Sequence, residues 1–180
     1  AHGRKPKALF TSDPDAVYAR EYTFDLSRIR PVVAKPDFVD NLVPAEEVRG
    51  VKIDEAFLGS CNNGRIEDLR VGASILKGRH VAEKVRFLVV PASQTVYLQA
   101  LKEGLIDTFI EGGAIVMNPN CSVCWGSCQG VIGENEVLIS TGTRNFKGRA
   151  GHPSSKVYLG SAATVTASAI KGEIALASDL

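Results

Sequence analysis

The sequence predicts an α/β fold, a three-layer α/β/α arrangement around a mostly parallel sheet, and three observations carry that prediction. Short apolar runs of strand length recur along the chain, amphipathic stretches of helical period separate them, and strand and helix alternate twice in that order. The runs are mainly apolar and not alternately polar, which is the pattern of strands covered on both faces.

The first fifty residues are polar and carry prolines at 6, 14, 31, 36 and 44. Within them only Tyr22-Thr23-Phe24-Asp25-Leu26 alternates as an exposed strand would. Residues 1–50 are therefore expected to form an arm or linker with one short strand, and 51–180 the α/β domain. Strands are expected at Ile53–Ser60, Phe87–Val90, Ala114–Met117 and Val137–Ser140, each short, apolar and flanked by Gly, Pro or polar residues. Arg65–Leu76 places Ile66, Leu69, Ala73 and Leu76 on one helical face, and Ser93–Gly104 opens on an N-cap serine and closes on glycine.

A chain of 180 residues can bury one core, so one domain is expected. With 23% charged residues and a net charge of +1, it lacks the imbalance that would attract nucleic acid. No apolar run approaches the roughly 20 residues a bilayer requires. The opening AHGRKPKALF lacks the apolar segment of a leader, so a cytoplasmic location is expected.

In a mostly parallel sheet, ligands gather at the loops beyond the carboxyl ends of the strands. Cys61 follows the first expected strand, Cys121 comes shortly after the third, and Arg144 shortly after the fourth. The stretch NPNCSVCWGSCQG holds Cys121, Cys124 and Cys128. It could serve a disulfide, a zinc ion, an iron–sulfur cluster or a redox pair, or the cysteines could be plain core thiols. The chain is too long and too poor in cysteine for a disulfide scaffold, and the turn-rich flanks suit core thiols badly. Zinc would need four ligands, with Cys128, His80 or His152 completing the set. One close pair facing the distant Cys61 suits three thiolates with an open fourth position, and spacing alone leaves zinc and cluster both open.

Three segments together resemble the aconitase superfamily: Leu58-Gly59-Ser60-Cys61-Asn62-Asn63-Gly64-Arg65, Asn120-Cys121-Ser122-Val123-Cys124, and Thr143-Arg144-Asn145-Phe146-Lys147-Gly148-Arg149. More narrowly they resemble its two-subunit branch of 3-isopropylmalate dehydratases and homoaconitases. The resemblance, covering about Tyr22 to Gly172, implies the family's cluster-binding third domain. It implies that Cys61, Cys121 and Cys124 hold a [4Fe–4S] cluster acting as a Lewis acid. Arg144 and Arg149 would grip the carboxylates of a hydroxy-acid substrate. It further implies a large-subunit fragment, inactive alone, whose partners are further N-terminal domains and a small subunit with a swivelling domain. On this reading the acid/base groups lie elsewhere and no catalytic residue is assigned here.

The chain departs from the family pattern at Asn62, where threonine is common, at Thr143, where asparagine is common, and at Gly64, where serine is frequent. These changes put the hydrogen bonds around the cysteines in doubt, not the ligands. Cys128 has no family role and reads as a bystander thiol. His2, His80 and His152 lie outside histidine-rich motifs and read as solvated, with His152 nearest the arginine loop.

Overall fold

The computed structural model describes residues 10–180; the expectations for residues 1–9 lie outside the described residues. Seven strands form one sheet: β1 (Val32–Ala34), β2 (Leu42–Pro44), β3 (Glu55–Gly59), β4 (Arg86–Val90), β5 (Ile115–Val116), β6 (Val137–Ser140) and β7 (Lys156–Leu159). Their order across the sheet is β2-β1-β7-β6-β3-β4-β5. Every pairing among β3 to β7 is parallel, whereas β1 runs antiparallel to both β2 and β7. The helices are α1 (Ser60–Asn63), α2 (Ile66–Leu76), α3 (Gln94–Lys102), α4 (Leu105–Glu111) and α5 (Ala162–Lys171). No helix among the described residues is long and apolar enough to cross a membrane.

Successive strand residues face opposite sides of the sheet, so the apolar strands feed two cores. On one face Leu58, Phe87, Val89 and Ile139 meet Leu69 and Leu76 of α2, Phe109 of α4 and Val165 of α5. On the other, Phe57, Leu88, Val90, Leu138 and Val157 meet Val123, Ile132 and Ala150. Full burial of each such large side chain contributes about 1.5–3 kcal/mol. The mostly parallel α/β sheet is as the sequence predicts. Its second outer layer is built of loop, with one 3-10 turn at Ser122–Cys124, because glycines, asparagines and Pro119 leave no run of helix formers there.

Residues 22–25 carry no strand, and Leu26–Arg28 form a 3-10 turn whose N-cap, Asp25, accepts from the Ser27 N–H at 3.0 Å. The alternation of Tyr22, Phe24 and Leu26 meets no neighbouring strand, and all three side chains are exposed. The sheet instead begins at Val32, within the stretch expected to be an arm, where β1 and β2 pair and bury Val33, Ala45 and Val48.

Chain order along the sheet reverses at β3: β4 and β5 lie on one side of it, β6 and β7 on the other. The crevice beyond the carboxyl ends of β3 and β6 is therefore a topological switch point, where open α/β sheets bind ligands.

Candidate functional site

Cys61 sits at this switch point, on a tight turn from β3 into α1. Gly59 has φ +151°, and a Cβ there would overlap the Val90 carbonyl oxygen. Ser60 follows at φ +66°, a conformation that L side chains rarely adopt. A Cβ at Gly64 would meet the same carbonyl, so the end of this turn lies close against β4. The strained turn leaves Cys61 exposed.

Thr141, the residue after β6, secures that turn. Its N–H donates to Phe57 O at 2.9 Å, its hydroxyl oxygen accepts from the Gly59 N–H at 2.9 Å, and its carbonyl accepts from Asn63 Nδ2. One buried residue thus holds both ends of the Cys61 turn against the strand that leads to Arg144.

The second cysteine segment is shaped by local side-chain bonds. Asn120 Oδ1 accepts from the Ser122 N–H at 2.6 Å, Ser122 Oγ donates to Gln129 O at 2.6 Å, and the Cys124 N–H donates to Cys121 O at 3.0 Å. Between the two cysteines Ser122 takes φ +46°, a conformation that L side chains rarely adopt, so the turn that carries both is sharply bent. Cys121 is exposed, and Cys124 is half-buried against the second core.

The arginine loop packs on that turn. Arg149 Nε donates to Cys124 O at 2.8 Å, and its guanidinium carbon lies 5.4 Å from the Phe146 ring centroid. A Cβ at Gly126 would overlap the Arg149 carbonyl, so the two loops approach with no space between them. Arg144 is exposed, donates from Nη1 to Thr143 O at 2.6 Å, and borders a small cavity of about 150 Å³ beside Phe38 and Phe146. Between the arginines, Asn145 is buried. Its Nδ2 donates to Lys35 O at 2.8 Å, with Phe38 O and Val157 O at 3.3 and 3.4 Å, while Oδ1 has no partner.

The donor chemistry suits a thiophilic metal centre: the three expected ligands are free thiols, two of them exposed, and two gathered on one turn. Cys61 is not drawn into one group with that pair. Among the described residues, no three Cys, His, Asp or Glu side chains are placed to hold one metal ion. His152 bonds Ser154 Oγ through Nδ1 at 2.8 Å, and both it and His80 are exposed. Cys128 is exposed too. His2 lies outside the described residues.

At the opposite end of the strands is a charged group the sequence reading missed. Glu55 and Arg86 open the adjacent parallel strands β3 and β4 in direct register, and Arg86 donates from Nε to Glu55 at 2.9 Å and from both terminal nitrogens to Glu136 at 2.9 and 2.7 Å. Glu55 is fully buried and its Oε1 has no partner. Burial pushes its carboxyl up to about 7 against the pull of Arg86, while Arg86 holds the more open Glu136 below its ordinary value. The available signal was a charged first residue on two neighbouring apolar runs.

Comparison with known proteins finds relatives of this chain. A family profile described as the aconitase family (aconitate hydratase) matches residues 38–172. A methanogen homoaconitase large subunit from Methanothermobacter thermautotrophicus is 52% identical over 166 residues, covering 92% of this chain and 39% of that protein. The 3-isopropylmalate dehydratase large subunit 2 of Archaeoglobus fulgidus is 52% identical over 164 residues, covering 91% and 39%. The 3-isopropylmalate dehydratase large subunit of Sulfurihydrogenibium is 50% identical, covering 93% and 39%. The chain thus spans about two fifths of the length of the curated relatives it matches.

Proposed function

Because this chain belongs to the aconitase family, we propose that it is the cluster-binding part of the large subunit of a 3-isopropylmalate dehydratase, a hydro-lyase of leucine biosynthesis working in the cytoplasm. The assembled enzyme would move a hydroxyl between neighbouring carbons of a hydroxy di-acid by loss and re-addition of water. Further domains of the large subunit and a small subunit with a swivelling domain would complete the site and carry the acid/base groups. Within this chain, residues 1–50 would serve as an arm or linker that docks on the 51–180 domain through β1 and β2.

Cys61, Cys121 and Cys124 would hold a [4Fe–4S] cluster, which when bound supplies a Lewis acid for departure of the hydroxyl. The observation that carries this reading is the contact between Arg149 and Cys124. It anchors a guanidinium to the cysteine turn through Nε alone, leaving both terminal nitrogens for the paired hydrogen bonds that a carboxylate accepts. The guanidinium also lies over the Phe146 ring, 5.4 Å from its centroid. Arg144, exposed on the same loop, would take a second carboxylate.

A second reading, homoaconitase, is favoured by the relative of that name at 52% identity, equal to that of a dehydratase. Turnover of each substrate by the assembled enzyme separates the two. The cluster itself is tested by iron and acid-labile sulfide analysis, with a visible absorption spectrum, on protein purified without oxygen. About four irons and four sulfides per chain, lost on Cys61→Ser, are expected. One zinc without sulfide would overturn the reading in favour of a structural metal module.

A further inference from the structure

Away from the cysteines, a cavity of about 470 Å³ opens between the β1–β2 hairpin and the segment that runs from the arginine loop into β7. Lys35, Lys147 and Lys156 line it, together with Asn41, Tyr158 and a single carboxylate, Asp37. The three lysines come from three separate segments: the residue after β1, the turn between Arg144 and Arg149, and the first residue of β7. None of them makes an ion pair among the described residues, and residues 1–9 contain no aspartate or glutamate that could supply one.

Three lysines and one carboxylate border this open concavity, and a concave surface carrying an excess of one charge concentrates its field. The fold holds them together all the same. The antiparallel pairing of Ala34 with Leu159 brings the end of β1 against β7, and Asn145 ties Lys35 O to the arginine loop. Tyr158, half-buried, has its phenol pushed up by burial and stays a neutral O–H donor. What relieves such a set is a compact multivalent anion bound by several donors. The cavity volume is of the size that holds a small molecule. The chain's net charge of +1 supplies little overall attraction for a nucleic acid.

We propose that this cavity binds a small multivalent anion carrying phosphate or carboxylate groups, through Lys35, Lys147 and Lys156. Because Lys147 shares its turn with Arg144 and Arg149, occupancy stiffens the arginine loop against the hairpin. The site stands independently of the cluster reading.

Amide NMR titration of the labelled chain with pyrophosphate, and separately with propane-1,2,3-tricarboxylate, tests it, using chloride at matched ionic strength as the reference. Saturable shifts confined to residues 35–41 and 147–158 are expected, and the tighter probe assigns the group recognised. The triple variant K35Q/K147Q/K156Q, which leaves both arginines in place, weakens binding by about tenfold or more, whereas K84Q/K102Q leaves it unchanged. Shifts that chloride reproduces, or undiminished binding by the triple variant, overturn the proposal.

Discussion

Arg149 Nε and the carbonyl oxygen of Cys124, 2.8 Å apart, join the arginine loop to the cysteine turn. The bond leaves both terminal nitrogens open to an end-on carboxylate grip of the kind Arg86 makes with Glu136.

Replacing Arg149 therefore has two consequences, one for the carboxylate grip and one for the cysteine turn. Arg149→Lys removes the planar fork and is expected to lower kcat/KM of the assembled enzyme by roughly 10–100-fold, mainly through KM, on the scale of one lost charge-assisted bond. Arg149→Ala also frees the Cys124 carbonyl, so the Cys124 thiol, isolated by serine at the other cysteines, should react several times faster with a disulfide reagent. An unchanged thiol rate would show that the contact does not order the turn.

Thr141 is the second test of how the site is held. Valine at this position keeps the shape but leaves the buried Gly59 N–H without its acceptor at 2.9 Å. An unsatisfied buried donor costs about 1–3 kcal/mol, which for a chain of this size lowers Tm by about 2–10 °C. Thr141→Ser keeps the oxygen and should recover most of that loss. Equal melting of the serine and valine variants would remove the hydroxyl from the account.

Strands β3, β4, β5 and β6 and helices α2 and α3 were legible because their apolar runs are bounded by glycine, proline or a capping serine; Ser93 Oγ does accept from the Val96 N–H at 3.2 Å. Helix α5 was not, since Ala162–Lys171 is built largely of Ala, Thr and Ser, although Ser161 and Gly172 cap it. The short β1 and β2 escaped notice because proline-rich, polar sequence hides a hairpin whose burial comes from pairing with β7. The cysteine and arginine motifs were legible as motifs, but the residues that position them were not. Thr141 acts on Gly59 across 82 residues and Asn145 on Lys35 across 110, and no local pattern records such partners.

Cys128 separates a three-thiolate site from a four-thiolate one. It is exposed on the irregular chain beyond the 3-10 turn that gathers Cys121 and Cys124. Cys128→Ser is expected to keep the full iron and sulfide content, while serine at Cys61, Cys121 or Cys124 loses it. Loss of metal from the Cys128 variant would point to a Cys₄ structural site instead.

Asn145 ties the hairpin to the arginine loop through its buried amide. Asn145→Ala removes the donor to the Lys35 carbonyl and is expected to cost about 1–3 kcal/mol. The loss should show first as faster proteolysis between residues 35 and 41, because local opening exposes the least buried backbone before the core. Cleavage no faster than in the parent chain would mean that strand pairing alone secures the hairpin.

Glu55 makes stability depend on pH in a direction opposite to the usual carboxylate. Its folded value, about 7, lies above the ordinary 4.5, so the folded state binds the proton more tightly than the unfolded chain does. Its contribution is fully present below about pH 4.5 and is lost as pH rises through 7. Glu136, held below its ordinary value by Arg86, works the other way, contributing above about pH 4.5 and weakening as pH falls. Between pH 5 and 8 the Glu55 effect dominates and should remove up to about 2–3 kcal/mol. Glu55→Gln keeps the shape and an acceptor for Arg86 Nε without titrating, so urea unfolding of this variant should vary much less over that range and the variant should be the more stable protein at pH 8. A parent chain whose unfolding midpoint is the same at pH 5 and pH 8 would mean that Glu55 keeps its charge, held by Arg86 against the cost of burial.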